Sequence, residues 1–246
     1  MLNWLEKRNF DIDVLCLQEL KQPEDKFPFQ QLEEVGYQAA VFAQPQYNGV
    51  AVCSKYDLEK VIKGFGDEYW DEQKRFLECQ LNGITVINVY VPHGESPDSE
   101  KYEYKLQWYR YFLEYLQANH DPSEPLVVVG DLNVTRHDLD VHAPELLQGS
   151  IATLPAEREA LENLMEWGLF DTYRHLYPQE PGYTWWNYIG GAIWKNEGMR
   201  IDYILATAPL LNRLQDIEVD LWPRRRRKPT PSDHAPLMAD FSPGVT

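Results

Sequence analysis

Cysteine is scarce: three in 246 residues, an odd number that cannot all pair. Cys16, Cys53 and Cys79 each lie in an apolar, strand-like run. That placement fits small buried thiols and excludes a disulfide framework or a cysteine-rich zinc site. No apolar stretch approaches the ~18 residues a membrane span needs, so no bilayer anchor is expected. Met1-Leu2-Asn3-Trp4-Leu5-Glu6-Lys7-Arg8 lacks the basic start, apolar stretch and small-residue cleavage site of a secretory signal, which points to a cytoplasmic protein. There is no repeat of fixed period, and the sole low-complexity tract is a short arginine run. Positive charge is also in short supply, with 23 Lys and Arg against 39 Asp and Glu, for a net charge of -16. Such a balance repels a polyanion at long range, so composition alone disfavours nucleic acid.

What is present is a core-forming chain, 43% hydrophobic, in which helices alternate with short apolar strands. Leu2 to Arg8 reads as an amphipathic helix, and Val14-Leu15-Cys16-Leu17-Gln18-Glu19 as a buried strand ending on an acid. Further strands are Gly49 to Cys53, Phe76 to Leu81 and Ile84 to Val91, the last two joined as a hairpin through Asn82-Gly83. Leu106, Tyr109, Phe112, Leu113 and Leu116 recur at helical spacing between Ser99 and His120. Leu126-Val127-Val128-Val129 is a β-branched run that stops at Gly130-Asp131-Leu132-Asn133. Glu157 to Trp167 makes a helix closed by Gly168, and Ile201 to Leu205 and Leu237 to Phe241 supply late strands. No long linker intervenes, so residues 1–246 are expected to form a single α/β domain.

Several of these strands end in an acid or an amide, and strand ends can converge on one rim of a sheet. A cluster containing Glu19, Asp131 and Asp233 would need a cation, because like charges at close range raise one another's pKa. Oxygen ligands suit Mg2+ or Mn2+. Each acid alone is an ordinary solvated charge; the joint pattern carries the inference. His234 reads either as a structural histidine or, if Asp202 holds one ring nitrogen, as a group whose other nitrogen meets a phosphate oxygen or a proton. The run Arg224, Arg225, Arg226, Arg227 and Lys228 reads either as a solvated loop or as a cationic lip beside Ser232-Asp233-His234.

The ordered blocks Leu17-Gln18-Glu19-Leu20-Lys21, Tyr47-Asn48-Gly49-Val50-Ala51, Asn88-Val89-Tyr90-Val91-Pro92-His93-Gly94, Gly130-Asp131-Leu132-Asn133, Arg200-Ile201-Asp202 and Ser232-Asp233-His234-Ala235-Pro236 resemble the exonuclease III family of apurinic/apyrimidinic endonucleases. Trp167 to Arg174 and Tyr183 to Tyr188 resemble it too, so the likeness runs through essentially the whole chain. It implies a four-layer α/β sandwich with two facing mixed sheets flanked by helices. The implied activity is a DNA repair hydrolase, an endonuclease and exonuclease of base excision repair. It would cut 5′ to abasic sites and remove nucleotides or blocking groups from 3′ ends of double-stranded DNA, as a monomer. Carried over by motif, Glu19 and Asp233 would hold the magnesium, Asp131 would activate or position the water, and Asn133 would orient it and the phosphate. Tyr90 and His234 would contact phosphate oxygens, with Asp202 orienting His234. Tyr47, Asn48 and Lys21 would meet the DNA backbone, Trp185 the base-less sugar, and Arg224 and Arg225 phosphates.

Against that pattern, family members start with a strand carrying an asparagine near the metal, whereas Met1 here opens directly in a helix; a start placed too late is the expected cause. Leu20 stands where threonine is usual, His93 where Asn or Gln is common, and Ile189 where arginine is frequent. Two alternatives accompany the leading reading: a phosphodiesterase of the same fold acting on a small phosphorylated ligand, and a non-catalytic relative that binds DNA or protein.

Overall fold

The structure, a computed structural model, describes residues 1–226, 228 and 230–244. It is an α/β fold of mixed sheets and flanking helices. The backbone groups into two compact units, Met1–Tyr90 with Leu126–Gly130, and Val91–Pro125 with Asp131–Thr246.

The first unit comprises α1 (Leu2–Lys7), β1 (Val14–Gln18), α2 (Phe29–Glu33), β2 (Gln38–Phe42), β3 (Val50–Ser54), β4 (Glu59–Lys63), α3 (Glu68–Asp71), β5 (Phe76–Leu81), β6 (Ile84–Tyr90) and the incoming β7 (Leu126–Asp131). β1 and β2 both pair antiparallel with β3, in the order β1-β3-β2. β3 is buried along its whole length because it is central in its sheet and packs against β5 and β6. The second run of strands is ordered β4-β5-β6-β7. The expected hairpin is present: Phe76 pairs with Val89 and Leu81 with Ile84, and Asn82 and Gly83 both take positive φ, as a tight two-residue turn requires. Asn88 fastens the two sheets together, its amide donating to the carbonyls of Leu17 (3.0 Å) and Ala51 (2.9 Å) while its oxygen accepts from Gln18 (2.6 Å). A buried amide with all these partners satisfied fixes how β6 sits on β1 and β3.

The second unit holds α4 (Glu100–Asn119), α5 (Pro144–Leu147), α6 (Pro155–Trp167), β8 (Leu169–Asp171), α7 (Thr172–Leu176), β9 (Trp185–Trp186), α8 (Ala192–Lys195), β10 (Gly198–Met199), β11 (Asp202–Thr207), α9 (Ala208–Leu211), β12 (Leu214–Val219), α10 (Leu221–Arg224) and β13 (Leu237–Phe241). Ser99 caps α4 by accepting from the Tyr102 amide, and Lys105, Trp108, Tyr109, Phe112 and Leu116 form its buried stripe. α6 packs on that helix. It begins at Pro155, two residues before the expected start, because proline is at home in a first turn and Glu157 reaches back to the Leu154 amide (2.9 Å). β8 pairs with β11, β9 with β10, and β12 with β13, all antiparallel.

The sequence reading contains no strand at 38–42, 59–63, 169–171 or 214–219. β4 is exposed at every position and lysine-rich, the composition of a protected sheet edge rather than of a core strand. The thiols behave as expected: all three are free, Cys53 and Cys79 are buried, and burial pushes both up to about 12. No helix among the described residues is long and apolar enough to cross a membrane.

Candidate functional site

In the first unit, β1 delivers Glu19. Immediately beyond the strand the chain enters left-handed conformations at Glu19 (φ 52°) and Lys21 (φ 55°), with Asn48 opposite them also left-handed (φ 56°). The Leu20 and Lys21 amides donate to the carbonyls of Gly49 and Asn48 and hold the turn. Left-handed backbone at residues other than glycine costs energy and concentrates where function dictates geometry. The Tyr90 hydroxyl donates to Glu19 Oε1 at 2.6 Å, and Lys21 Nζ lies 2.9 Å from Oε2. Tyr90 is itself fixed: the Arg75 guanidinium stacks 4.6 Å from its ring centre and donates to its carbonyl at 2.9 Å. Tyr47 projects into solvent, 68% exposed.

The second unit carries the denser cluster. β7 ends on Asp131, which is almost fully buried, and Gly130 before it has φ 132°. Asn133 is left-handed as well (φ 51°) and folds back on Asp131. Its backbone amide donates to Asp131 Oδ1 (2.8 Å), and its side-chain amide donates to Oδ2 (3.2 Å) and to the Val91 carbonyl (2.8 Å). β11 opens with Asp202, whose carboxylate oxygens lie 2.9 and 3.1 Å from His234 Nδ1. His234 Nε2 stands 4.0 Å from Asp131 Oδ2. Asp131, Asp202 and His234 thus offer one ligand atom each within 4.8 Å of one another. Burial pulls the His234 pKa down, but the carboxylates of Asp202, Asp131 and Asp233 overcome it and push it up to about 10. The ring is therefore a cation at neutral pH, with both nitrogens donors. A charged ring has no lone pair for a metal, so a hard divalent cation here would be met by carboxylate oxygens, which suit it.

Asp233 is placed differently from Asp131. Its carboxylate accepts from Trp185 Nε1 at 3.0 Å, and its carbonyl accepts from the Trp186 amide and from Arg224 Nε. Trp185 and His234 form a bridge between their backbones. Arg224 does not stand on a cationic lip. It is 5% exposed and donates to the carbonyls of Asp233, Trp186 and Asn187 while stacking on Tyr188, because its planar head fits a wall of carbonyls. Arg225 stays exposed, Arg226 stacks 4.7 Å from the Trp222 ring, and Arg227 lies outside the described residues.

Sequence reasoning missed the groups beneath this cluster. Arg200, adjacent in sequence to the Ile201-Asp202 pair, is fully buried and donates to both oxygens of Asp140 and of Asp171, with Tyr203 and Tyr173 stacked on it. The hydroxyls of Tyr109 and Tyr203 donate to the carbonyls of Leu132 and Val134. Lys105 is fully buried and donates to the Asn133 carbonyl (2.6 Å) and to Glu157. Only the apolar helix stripe around Lys105 hinted at this, by placing a lysine where a core residue belongs.

The family model described as Endonuclease/Exonuclease/phosphatase family matches residues 2–234. Exodeoxyribonuclease III of Haemophilus influenzae is 35% identical over 241 residues, spanning 93% of this chain and 90% of the relative. Among solved structures, an AP endonuclease from Archaeoglobus fulgidus superposes with a TM-score of 0.93 at 39% identity, covering 98% of this chain and 92% of that one. The 3′ phosphatase NExo from Neisseria, bound to a product DNA hairpin, gives a TM-score of 0.92 at 35% identity, with coverage of 98% and 94%.

Proposed function

We propose, for a chain that belongs to the Endonuclease/Exonuclease/phosphatase family and within it to the exonuclease III relatives, that it is a DNA repair nuclease. It hydrolyses phosphodiester bonds 5′ to abasic sites and removes nucleotides or blocking groups from DNA 3′ ends. The observation that carries this reading is the Asp131–His234–Asp202 cluster with Asn133 folded onto Asp131.

Asp131 accepts a proton from the attacking water, and the two donors from Asn133 hold its carboxylate in one orientation. Water adds to phosphorus, the P–O3′ bond breaks, and a 3′ hydroxyl and a 5′ phosphate result. His234, steadied at Nδ1 by Asp202, presents a charged Nε2–H to a non-bridging phosphate oxygen as negative charge builds. Tyr90, whose hydroxyl donates to Glu19 here, would turn that hydrogen to a phosphate oxygen when substrate binds. Glu19 and Asp233 would each offer a carboxylate to a magnesium or manganese ion. When bound, that ion supplies Lewis-acid stabilisation of the phosphoryl and leaving oxygens, a contribution on the order of several kcal/mol. Tyr47, Asn48, Lys21 and Arg225 meet the DNA backbone, and Trp185 meets the base-less sugar. At a net charge of -16 these few local donors, rather than the global field, hold the substrate.

The test is an incision assay with purified protein on an abasic duplex, an undamaged duplex and a 3′-phosphorylated end, each with Mg2+, with Mn2+ and with EDTA. Metal-dependent cutting of the abasic strand and release of the 3′ phosphate are expected. A protein inert on all three substrates, yet active on a small phosphorylated alcohol, would falsify the reading.

A further inference from the structure

We infer that Lys105 is a positioning residue for this reaction: buried beneath the Asp131 to Asn133 turn, its ammonium holds the Asn133 carbonyl and so anchors the residue whose backbone and side-chain amides orient Asp131. The inference rests on the proposed hydrolysis, since that is what makes Asp131 the group to be oriented.

Lys105 is one turn into α4 and has no exposed surface. Its three N–H donors meet three acceptors: a Glu157 carboxylate oxygen, the Asn133 carbonyl at 2.6 Å and the His93 carbonyl at 3.3 Å. Glu157 is fully buried too, and its other oxygen accepts from the Leu154 amide at the start of α6. A buried ion pair of this kind is weak evidence for stability, because apolar residues of similar volume usually serve as well. Its retention calls for another reason, and the third partner supplies one. Asn133 occupies a left-handed conformation, which asparagine tolerates better than most residues but which still has to be held by its surroundings. Its amide N–H and side-chain N–H groups are spent on Asp131 and Val91, so its carbonyl is the one main-chain group left to fix the peptide that follows, and Lys105 takes it. Without that bond the peptide that follows is free to turn about ψ of Asn133, and the α-carbon from which both donors reach Asp131 loses its anchor on that side. The link therefore runs from the α4–α6 packing to the orientation of one carboxylate, through a lysine that touches neither substrate nor metal ligand.

The experiment compares the unaltered full chain with Lys105→Met, Lys105→Met/Glu157→Leu and Glu157→Gln, measuring kcat and KM on abasic duplex together with the thermal midpoint. Lys105→Met is expected to lower kcat by on the order of 10²-fold and leave KM within about threefold. In the double variant the uncompensated charge is gone, so the midpoint recovers while kcat stays low. Recovery of kcat along with the midpoint overturns the inference, since a merely structural pair would restore both. Glu157→Gln keeps the ammonium and its bond to Asn133, so it should lose midpoint but retain kcat within about threefold; a loss as large as that of Lys105→Met also counts against the inference. A crystal structure of the double variant provides a readout independent of activity, with Asn133 expected to leave its left-handed φ and an unmoved turn contradicting the claim. If the unaltered chain leaves abasic DNA intact, the functional reading fails, and the crystal structure alone then decides whether Lys105 holds the turn.

Discussion

Two charge clusters lie within a few residues of each other in the second unit, each with two aspartates around a central cation, and Arg174 adds a second cation to Asp140 in the Arg200 cluster. Around Arg200 the account closes: four carboxylate oxygens of Asp140 and Asp171 accept from one guanidinium at 2.7 to 3.2 Å, and the three side chains are 0 to 3% exposed. Around His234 it stays open. Asp202 takes Nδ1, but Asp131 stands 4.0 Å from Nε2, beyond hydrogen-bond reach, and the histidine side chain is 25% exposed. A saturated cluster has nothing left to offer a ligand and serves the fold; one with a partly exposed histidine and excess negative charge is available for chemistry.

That contrast can be attacked from its active side first. Asp131→Asn should cut incision of abasic DNA by about 10²- to 10⁴-fold, while the thermal midpoint holds or rises because a buried negative charge close to that of Asp202 has been removed. A midpoint that collapses would move Asp131 into the structural class. Arg200→Met is the mirror experiment, and it should cost about 3–5 kcal/mol of stability by taking the shared cation from two buried carboxylates and leaving Asp140 only Arg174, read by denaturant unfolding. If the stability hardly changes, the closed cluster is not what holds β8 and β11 to the Asp140 segment.

Acid sharpens the same point. Burial pushes the Asp140 carboxyl up, but Arg200, the His137 amide and Arg174 outweigh it and leave its pKa below the ordinary 3.8. A depressed folded-state pKa contributes stability that is present above the unfolded value and lost as pH falls through the folded one. Unfolding free energy followed from pH 6 downward should therefore fall below about pH 4, and Asp140→Asn should flatten that limb. An unchanged limb would assign the acid sensitivity elsewhere. The smallest effect is expected for Trp185→Phe, which keeps an aromatic face but removes the bond to Asp233. It should cost about 1 kcal/mol in apparent metal affinity, seen in the Mg2+ dependence of incision, whereas a change in DNA affinity alone would point to the ring and not its N–H.

The open cluster was far more legible in the sequence than the closed one, and the reason is physical. Strands β1, β7 and β11 announce themselves as apolar runs, and where such a run stops on Glu19 or Asp131, or opens on Asp202, the polar residue has to lie at a rim. The partners of Arg200 lie 29 and 60 residues away in sequence, and those of Lys105 lie 28 and 52 away, distances at which no local periodicity reports a contact. Arg224 shows the same blindness in reverse: within an arginine run it looks solvated, yet only the fold reveals the wall of carbonyls it covers. Strands β2 and β12 escaped because they mix exposed polar with buried apolar positions over too few residues to outweigh a loop reading.

Gly130 separates place from chemistry. A methyl group there would sit 2.0 Å from the Val89 carbonyl oxygen, and the backbone already has φ 132°, so β7 cannot accept one without shifting the peptide that leads into Asp131. Gly130→Ala would keep every acid, amide and imidazole of the cluster in the protein and move only where one of them stands. At this position a single hydrogen atom sets the tolerance of the whole turn, and a library randomised there should return glycine alone among active clones.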